Sequence, residues 1–151
     1  MTVSPELARD LPQLLSSAER LMTRRLTLAL EAEGCGVEEW RVLSLLSDGR
    51  GHTMSDVAEY ALMPAPSLTK LVDRLVSGAL AYRRKDPGDG RRVLVYLSAR
   101  GRSRHRAVAA LAQRAEEQLW GGPAGVRELT DGLSRLKALL ANAPEEIRAE
   151  R

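Results

Sequence analysis

The chain has 151 residues, enough for one domain, or for one domain with an interface extension. Its single cysteine, Cys35, excludes an internal disulfide framework and fits a reducing compartment. No apolar run approaches the roughly 20 residues that span a bilayer, and no apolar core follows the N-terminus as in a secretion signal. A cytoplasmic location is therefore expected. There is no Phe, and the apolar content is mostly Leu, Ala and Val, of which Leu and Ala favour helix. The net charge is only +3. Between Arg83 and Arg106, however, nine Lys or Arg face two Asp, a balance of +7 that leaves the rest of the chain at −4.

Residues 1–9 are expected to form a loose arm. Asp10-Leu11-Pro12-Gln13 has the features of a helix start: Asp10 can cap, Pro12 suits a first turn, and Gln13 stands at the capping-box position. Leu11, Leu14, Leu15, Ala18, Leu21, Met22, Leu26, Ala29 and Leu30 then recur at three- and four-residue spacing. They predict a long helix that Gly34-Cys35-Gly36 stops, with a stripe to bury in the core or against a second chain. A second helix is expected from Gly36 to Gly49, with Trp40, Leu43, Leu45 and Leu46 inward. Thr53-Met54-Ser55-Asp56 is a further cap signature, and Val57, Ala58 and Ala61 mark the short helix behind it.

After a break at Leu62-Met63-Pro64-Ala65-Pro66, a helix from about Pro66 to Ser77 buries Leu68, Leu71, Val72 and Leu75. Its other face carries Ser67, Thr69, Lys70, Asp73 and Arg74. Arg83-Arg84-Lys85-Asp86-Pro87-Gly88-Asp89-Gly90-Arg91-Arg92 then leads into Val93-Leu94-Val95-Tyr96-Leu97-Ser98. Turn formers between a basic cluster and an apolar run predict a two-stranded hairpin with a cationic tip. A solvated charge run would explain the hairpin alone, and a polar solvent face the helix alone. Neither explains their order: short helix, tight turn, second helix, basic hairpin. That is the order of a winged helix-turn-helix, whose second helix offers its N-terminal side chains to the major groove.

From Val37 to Arg102 the chain resembles the MarR family of bacterial transcription regulators. The densest likeness is in Leu71-Val72-Asp73-Arg74-Leu75-Val76, in the basic stretch from Arg83 to Arg92, and in Leu94-Val95-Tyr96-Leu97-Ser98. The resemblance implies a homodimer with a winged domain on each lower corner. It implies that Asp89 orients Arg91 into the minor groove, where negative potential is concentrated. Arg92 would contact phosphate or pack at the wing base. Two departures stand out. Relatives usually carry Gly where this chain has Ala79, with Gly78 one residue earlier, so a helix end shifted by one residue and an altered wing angle are expected. Pro64 and Pro66 stand at the entrance of the recognition helix, where relatives often have hydrogen-bonding side chains. Proline offers no N–H, so hydrogen-bonded base readout is expected to rest on Ser67, Thr69 and Lys70.

Ser98 can cap another helix whose first turns carry Arg100, Arg102, Arg104 and Arg106; each of these faces phosphate, solvent or a second subunit. Val108, Leu111, Ala112, Ala115 and Leu119 form its stripe, which Gly121-Gly122-Pro123 breaks. Val126, Leu129, Leu133, Leu136, Leu139 and Leu140 form the last one, and Pro144 ends it. The fold class expected is mainly α with a small β-wing, a winged helix-turn-helix core plus a helical dimerisation region. The expected divisions are 1–36 (arm and dimerisation helix), 37–98 (DNA-binding domain), 99–143 (C-terminal dimerisation helices) and 144–151 (tail).

Catalytic motifs, metal-ligand clusters and phosphate loops are missing from the sequence, so no enzyme activity, metal or cofactor is expected. The expected partners are double-stranded DNA bearing a pseudo-palindromic operator and a second copy of the chain; no membrane is involved. DNA contacts are assigned to Ser67, Thr69, Lys70, Arg74, Asp89, Arg91 and Arg92. The resemblance also implies a small phenolic or anionic effector that releases a repressor from DNA. Met22, Trp40, Leu43 and Leu62 are the candidates to line its pocket, or are simply core. Two other readings stand beside this one: a winged protein-interaction module without specific DNA binding, for which the two prolines speak, and a redox-sensing regulator acting through Cys35.

Overall fold

Helix α1 spans Pro5–Leu30 in a computed structural model that describes residues 5–120 and 123–142. It begins well before Asp10 and runs straight through Pro12. Residues 5–9 are therefore helical rather than a loose arm, and Asp10 is not the cap. Pro5 is itself suited to a first turn, where a missing N–H costs nothing. A 3-10 turn, Glu31–Glu33, closes the helix, and Gly34 takes the left-handed conformation at φ 58°. Helix α2 (Val37–Leu46) follows, then strand β1 (His52–Thr53), α3 (Met54–Ala61) and α4 (Ala65–Ser77). Strands β2 (Ala81–Lys85) and β3 (Val93–Leu97) form the wing, and α5 (Ala99–Trp120) and α6 (Pro123–Ala141) complete the chain.

The chain divides into two compact units, Met1–Ala115 and Glu116–Arg151. The core of the first is Leu30 of α1, Val42, Leu43 and Leu46 of α2, Val57 and Ala61 of α3, and Leu68, Leu71, Val72 and Leu75 of α4. Ala81, Val95 and Leu97 of the wing and Val108 and Ala112 of α5 complete it. The periodicities of α2 to α5 thus point inward as expected, and the architecture is the mainly helical winged fold. The sheet has three strands rather than two, in the antiparallel order β1-β3-β2. Strand β1 pairs His52 with Val95 and Thr53 with Leu94. It is too short to show a period in the sequence.

In the second unit, α6 exposes Val126, Leu129, Leu133, Leu139 and Leu140. On α1, Leu11, Leu14, Leu21, Met22 and Leu28 are likewise exposed. The break at Gly121-Gly122, the stop at Pro144, the 144–151 tail and the Leu119 side chain lie outside the described residues. Among the described residues no helix is long and apolar enough to cross a membrane.

Three helix ends use the same hydrogen-bond pattern, in which two N–H groups just past the helix reach back to orphan carbonyls. At α1 the donors are Gly34 and Cys35, at α3 Leu62 and Met63, and at α4 Ala79 and Leu80. The pattern requires a left-handed residue. Only the first site has glycine; Leu62 and Ala79 both adopt φ 55°. The expected shift of the α4 end does not occur: Gly78 keeps φ −77°, and Ala79 takes the conformation glycine would normally supply.

Candidate nucleic-acid interface

The helix-turn-helix is built from short-range signals. Thr53 caps α3 by accepting from the Asp56 N–H at 3.2 Å, and Asp56 accepts from the Thr53 N–H at 2.9 Å. These bonds hold the Asp56 carboxyl below the usual carboxylate range, with His52 and then Arg92 adding positive field. Helix α4 has no side-chain cap. Pro64 precedes it in extended conformation, and Pro66 lies in the first turn, whose N–H groups have no helical partner.

The exposed face of α4 differs from its expected chemistry. Ser67, Thr69, Lys70, Asp73 and Arg74 are all exposed. The Thr69 hydroxyl, however, donates to the Ala65 carbonyl at 2.9 Å. Asp73 is neutralised by Arg83 of β2 at 2.7 Å, so the carboxylate does not oppose a polyanion. Ser67, Lys70 and Arg74 line, with Leu71 and Met63, a cleft of about 330 Å³ against Gly36, Glu38 and Glu39 at the start of α2.

The wing pairs Ala81 with Leu97, Tyr82 with Tyr96 and Lys85 with Val93. Tyr82 and Tyr96 stack with centroids 5.3 Å apart, and Gly51 leaves room for the Tyr96 ring. At the tip, Asp86 accepts from the Gly88 N–H at 2.9 Å and Asp89 from the Arg91 N–H at 3.0 Å. Asp89 thus shapes the turn through the Arg91 backbone. Among the described residues the Arg84, Lys85, Arg91, Arg92 and Arg100 side chains have no hydrogen bond or ion pair. Other cations of the run are engaged. Arg102 donates to the Leu97 carbonyl and Arg106 to Ser103. Arg104 bonds the Glu33 carboxylate at 3.1 Å and carbonyl at 2.6 Å, and lies 3.6 Å from Glu39. The basic segment therefore sorts into structural ties and a free cluster centred on the wing.

Ser98 joins the wing to α5. Its hydroxyl donates to the Ala79 carbonyl at 2.6 Å and accepts from the Gly101 N–H at 2.9 Å. A Cβ on Gly101 would run into the Leu80 carbonyl, so only glycine fits. That requirement involves a residue far along the chain and was not legible in the sequence.

The four expected pocket residues are not equivalent. Leu43 is fully buried, Leu62 is 77% exposed and Met22 45%, and Trp40 stacks on His105 at 5.3 Å. None of them lines the cleft beside α4. Cys35 is buried, and desolvation, with the negative charge of Glu39, pushes its thiol up to about 12 despite the nearby Arg104. The reactive thiolate is therefore strongly disfavoured at neutral pH. Among the described residues no group of three metal-ligating side chains is present.

The MarR family profile matches residues 34–92. Over 88 residues the chain is 32% identical to the HTH-type transcriptional regulator FarR of Neisseria gonorrhoeae, covering 58% of this chain and 60% of that protein. The transcriptional activatory protein BadR of Rhodopseudomonas palustris is 29% identical over 91% of this chain and 80% of its own length. The crystal structure of CouR from Rhodococcus jostii RHA1 bound to p-coumaroyl-CoA superposes with a TM-score of 0.75 at 26% identity, covering 88% of this chain and 95% of that one.

Proposed function

The chain belongs to the MarR family of transcriptional regulators, and on that premise we propose that it binds a pseudo-palindromic DNA operator as a homodimer in the cytoplasm. The observation that carries this reading is the wing tip. The Asp89 carboxylate fixes the turn at Arg91, Arg91 and Arg92 form no ion pair among the described residues, and the one outward carboxylate of α4, Asp73, is neutralised by Arg83. Such cations suit phosphate and a narrow minor groove. The exposed apolar stripes on α1 and α6 support a second copy as partner, with residues 1–36 and 99–143 as the dimerisation regions and 37–98 as the DNA-binding domain. Two recognition helices roughly 34–36 Å apart would then meet successive turns of one DNA face.

A repressor released by a ligand is the regulatory form of this reading. The cleft beside α4 has Lys70 and Arg74 and an apolar wall at Met63 and Leu71, with Glu38 and Glu39 of α2 across from them, so an aromatic anion would have to compete with these carboxylates for the two cations. An occupant would engage Lys70 and Arg74 and so favour the state that binds DNA poorly. That CouR was crystallised with an aromatic acyl thioester agrees with this chemistry. The name of BadR, an activator, shows that the sign of regulation is a separate question. The test is a titration against pooled genomic fragments at two salt concentrations, wild type beside Arg91→Ala. Enrichment of a few palindromic fragments, lost in the variant and weakened by salt, is expected. Uniform weak binding by both proteins would overturn the reading.

A further inference from the structure

The first turn of α4 is the part of the recognition helix that meets base edges in a major-groove reader, and here it is apolar except at Ser67. Pro64, Ala65 and Pro66 are all exposed, and none has a side-chain hydrogen-bonding group. Pro66 lies opposite the buried side formed by Leu68, Leu71, Val72 and Leu75, at the centre of the outward face, because 100° per residue separates it most from that side. Thr69 follows three residues later on the same face. Its O–H is donated to the Ala65 carbonyl at 2.9 Å, so toward a partner it presents its methyl and the acceptor side of its oxygen. The outward surface at the helix entrance thus includes a proline ring and a methyl three residues on, with Ser67 and Lys70 exposed on the same helix.

Within the major groove one base feature is apolar, the C5-methyl of thymine. We infer that Pro66 and the Thr69 methyl read thymine methyl groups, so that this chain selects its operator half-site by apolar contact where a hydrogen-bonding entrance would select by donor and acceptor pattern. This rests on the DNA-binding reading above. It also gives the prolines a recognition role in place of a loss of one.

The contact can be tested by deleting a methyl from either side. Full-length protein is titrated against the palindromic fragment it enriches from genomic DNA, and against duplexes in which deoxyuridine replaces one thymine at a time. The expected loss is about threefold to fivefold at one or two positions per half-site, the free energy of burying one methyl-sized group. Thr69→Ser keeps the hydroxyl and removes only the methyl. It should abolish the loss at one of those positions, and Pro66→Ser at the same or the neighbouring one. If wild type enriches a specific fragment but no deoxyuridine duplex binds more weakly, the inference falls and the DNA-binding reading stands. Deoxyuridine losses that persist unchanged in both variants would equally overturn the assignment to Pro66 and Thr69. No enriched fragment at all overturns the DNA-binding reading, and the inference with it.

Discussion

The wing tip and the recognition helix sit close in sequence but are built on opposite terms. The tip is held by side-chain-to-backbone bonds from Asp86 and Asp89, and its arginines are left free. In α4 two of the outward polar groups are engaged, the Thr69 O–H on Ala65 and Asp73 on Arg83, and Ser67, Lys70 and Arg74 stay exposed. The difference separates two tasks. Free arginines interact with phosphate and groove potential whatever the sequence, which supplies affinity and salt dependence. The exposed face of α4, with Lys70 and Arg74 beside Pro66, Ser67 and Thr69, would add discrimination among bases to that affinity. On the proposed function, the wing is the electrostatic part and α4 the selective part.

The largest expected effect tests the first half of that comparison. Arg91→Ala should weaken DNA binding by about 1–3 kcal/mol and reduce the salt slope by about one contact. The loss should be similar on operator and unrelated DNA if the wing only supplies charge. Lys70→Ala tests the second half. It should cost about 1–3 kcal/mol on the operator and relax the preference at one base position; an equal loss on every sequence would move Lys70 into the electrostatic class with Arg91. Both are measured by fluorescence anisotropy on operator and scrambled duplexes.

The recognition helix is also flanked by two residues in an unfavourable conformation, whereas the wing turn has none. Leu62 and Ala79 hold φ 55° where glycine is preferred. A left-handed non-glycine residue costs about 1–2 kcal/mol, and glycine gives back about 0.4–1 kcal/mol through the unfolded chain. Leu62→Gly and Ala79→Gly should therefore each raise stability by about 0.5–1 kcal/mol in urea melts. If either variant is more stable but binds operator less well, the left-handed residue serves the placement of α4. Stability that falls instead would mean that the Leu62 or Ala79 side chain makes contacts worth more than the strain.

What could be read in advance follows the range of each interaction. The capping box at Thr53 and Asp56 and the inward faces of α2 to α5 were legible, because both depend on spacings of three or four residues. The start of α1 was misplaced because Asp10 and Pro12 imitate a cap. Strand β1 has two residues and exists only because β3 pairs with it. Arg83–Asp73 and Arg104–Glu33 join residues ten and 71 positions apart, and no local rule tells which arginine of a basic run is tied down. Thr69 shows the same limit at one position: its exposed hydroxyl suggested a base contact, and its proton is donated to the preceding turn, which leaves the oxygen as an acceptor.

The smallest expected effect lies away from both regions, where α5 meets α2, and it shows whether the two are coupled through the core. His105 stacks on Trp40, and burial, with the positive charge of Arg106, lowers its pKa from the ordinary 6.5. Its neutral form is thus favoured on folding. The associated stability is fully present above the unfolded value and is lost as pH falls from about 6.5 through the folded value. Melting curves between pH 7.5 and 5 should show a steeper decline for wild type than for His105→Gln, and identical slopes would remove His105 from the account. Operator affinity followed over the same range then decides the coupling. If protonating His105 only loosens α5 against α2, binding by the folded protein stays level in both proteins. A fall confined to wild type would mean that the α2–α5 contact also sets the position of α4, since the cleft beside α4 is walled by the first turn of α2.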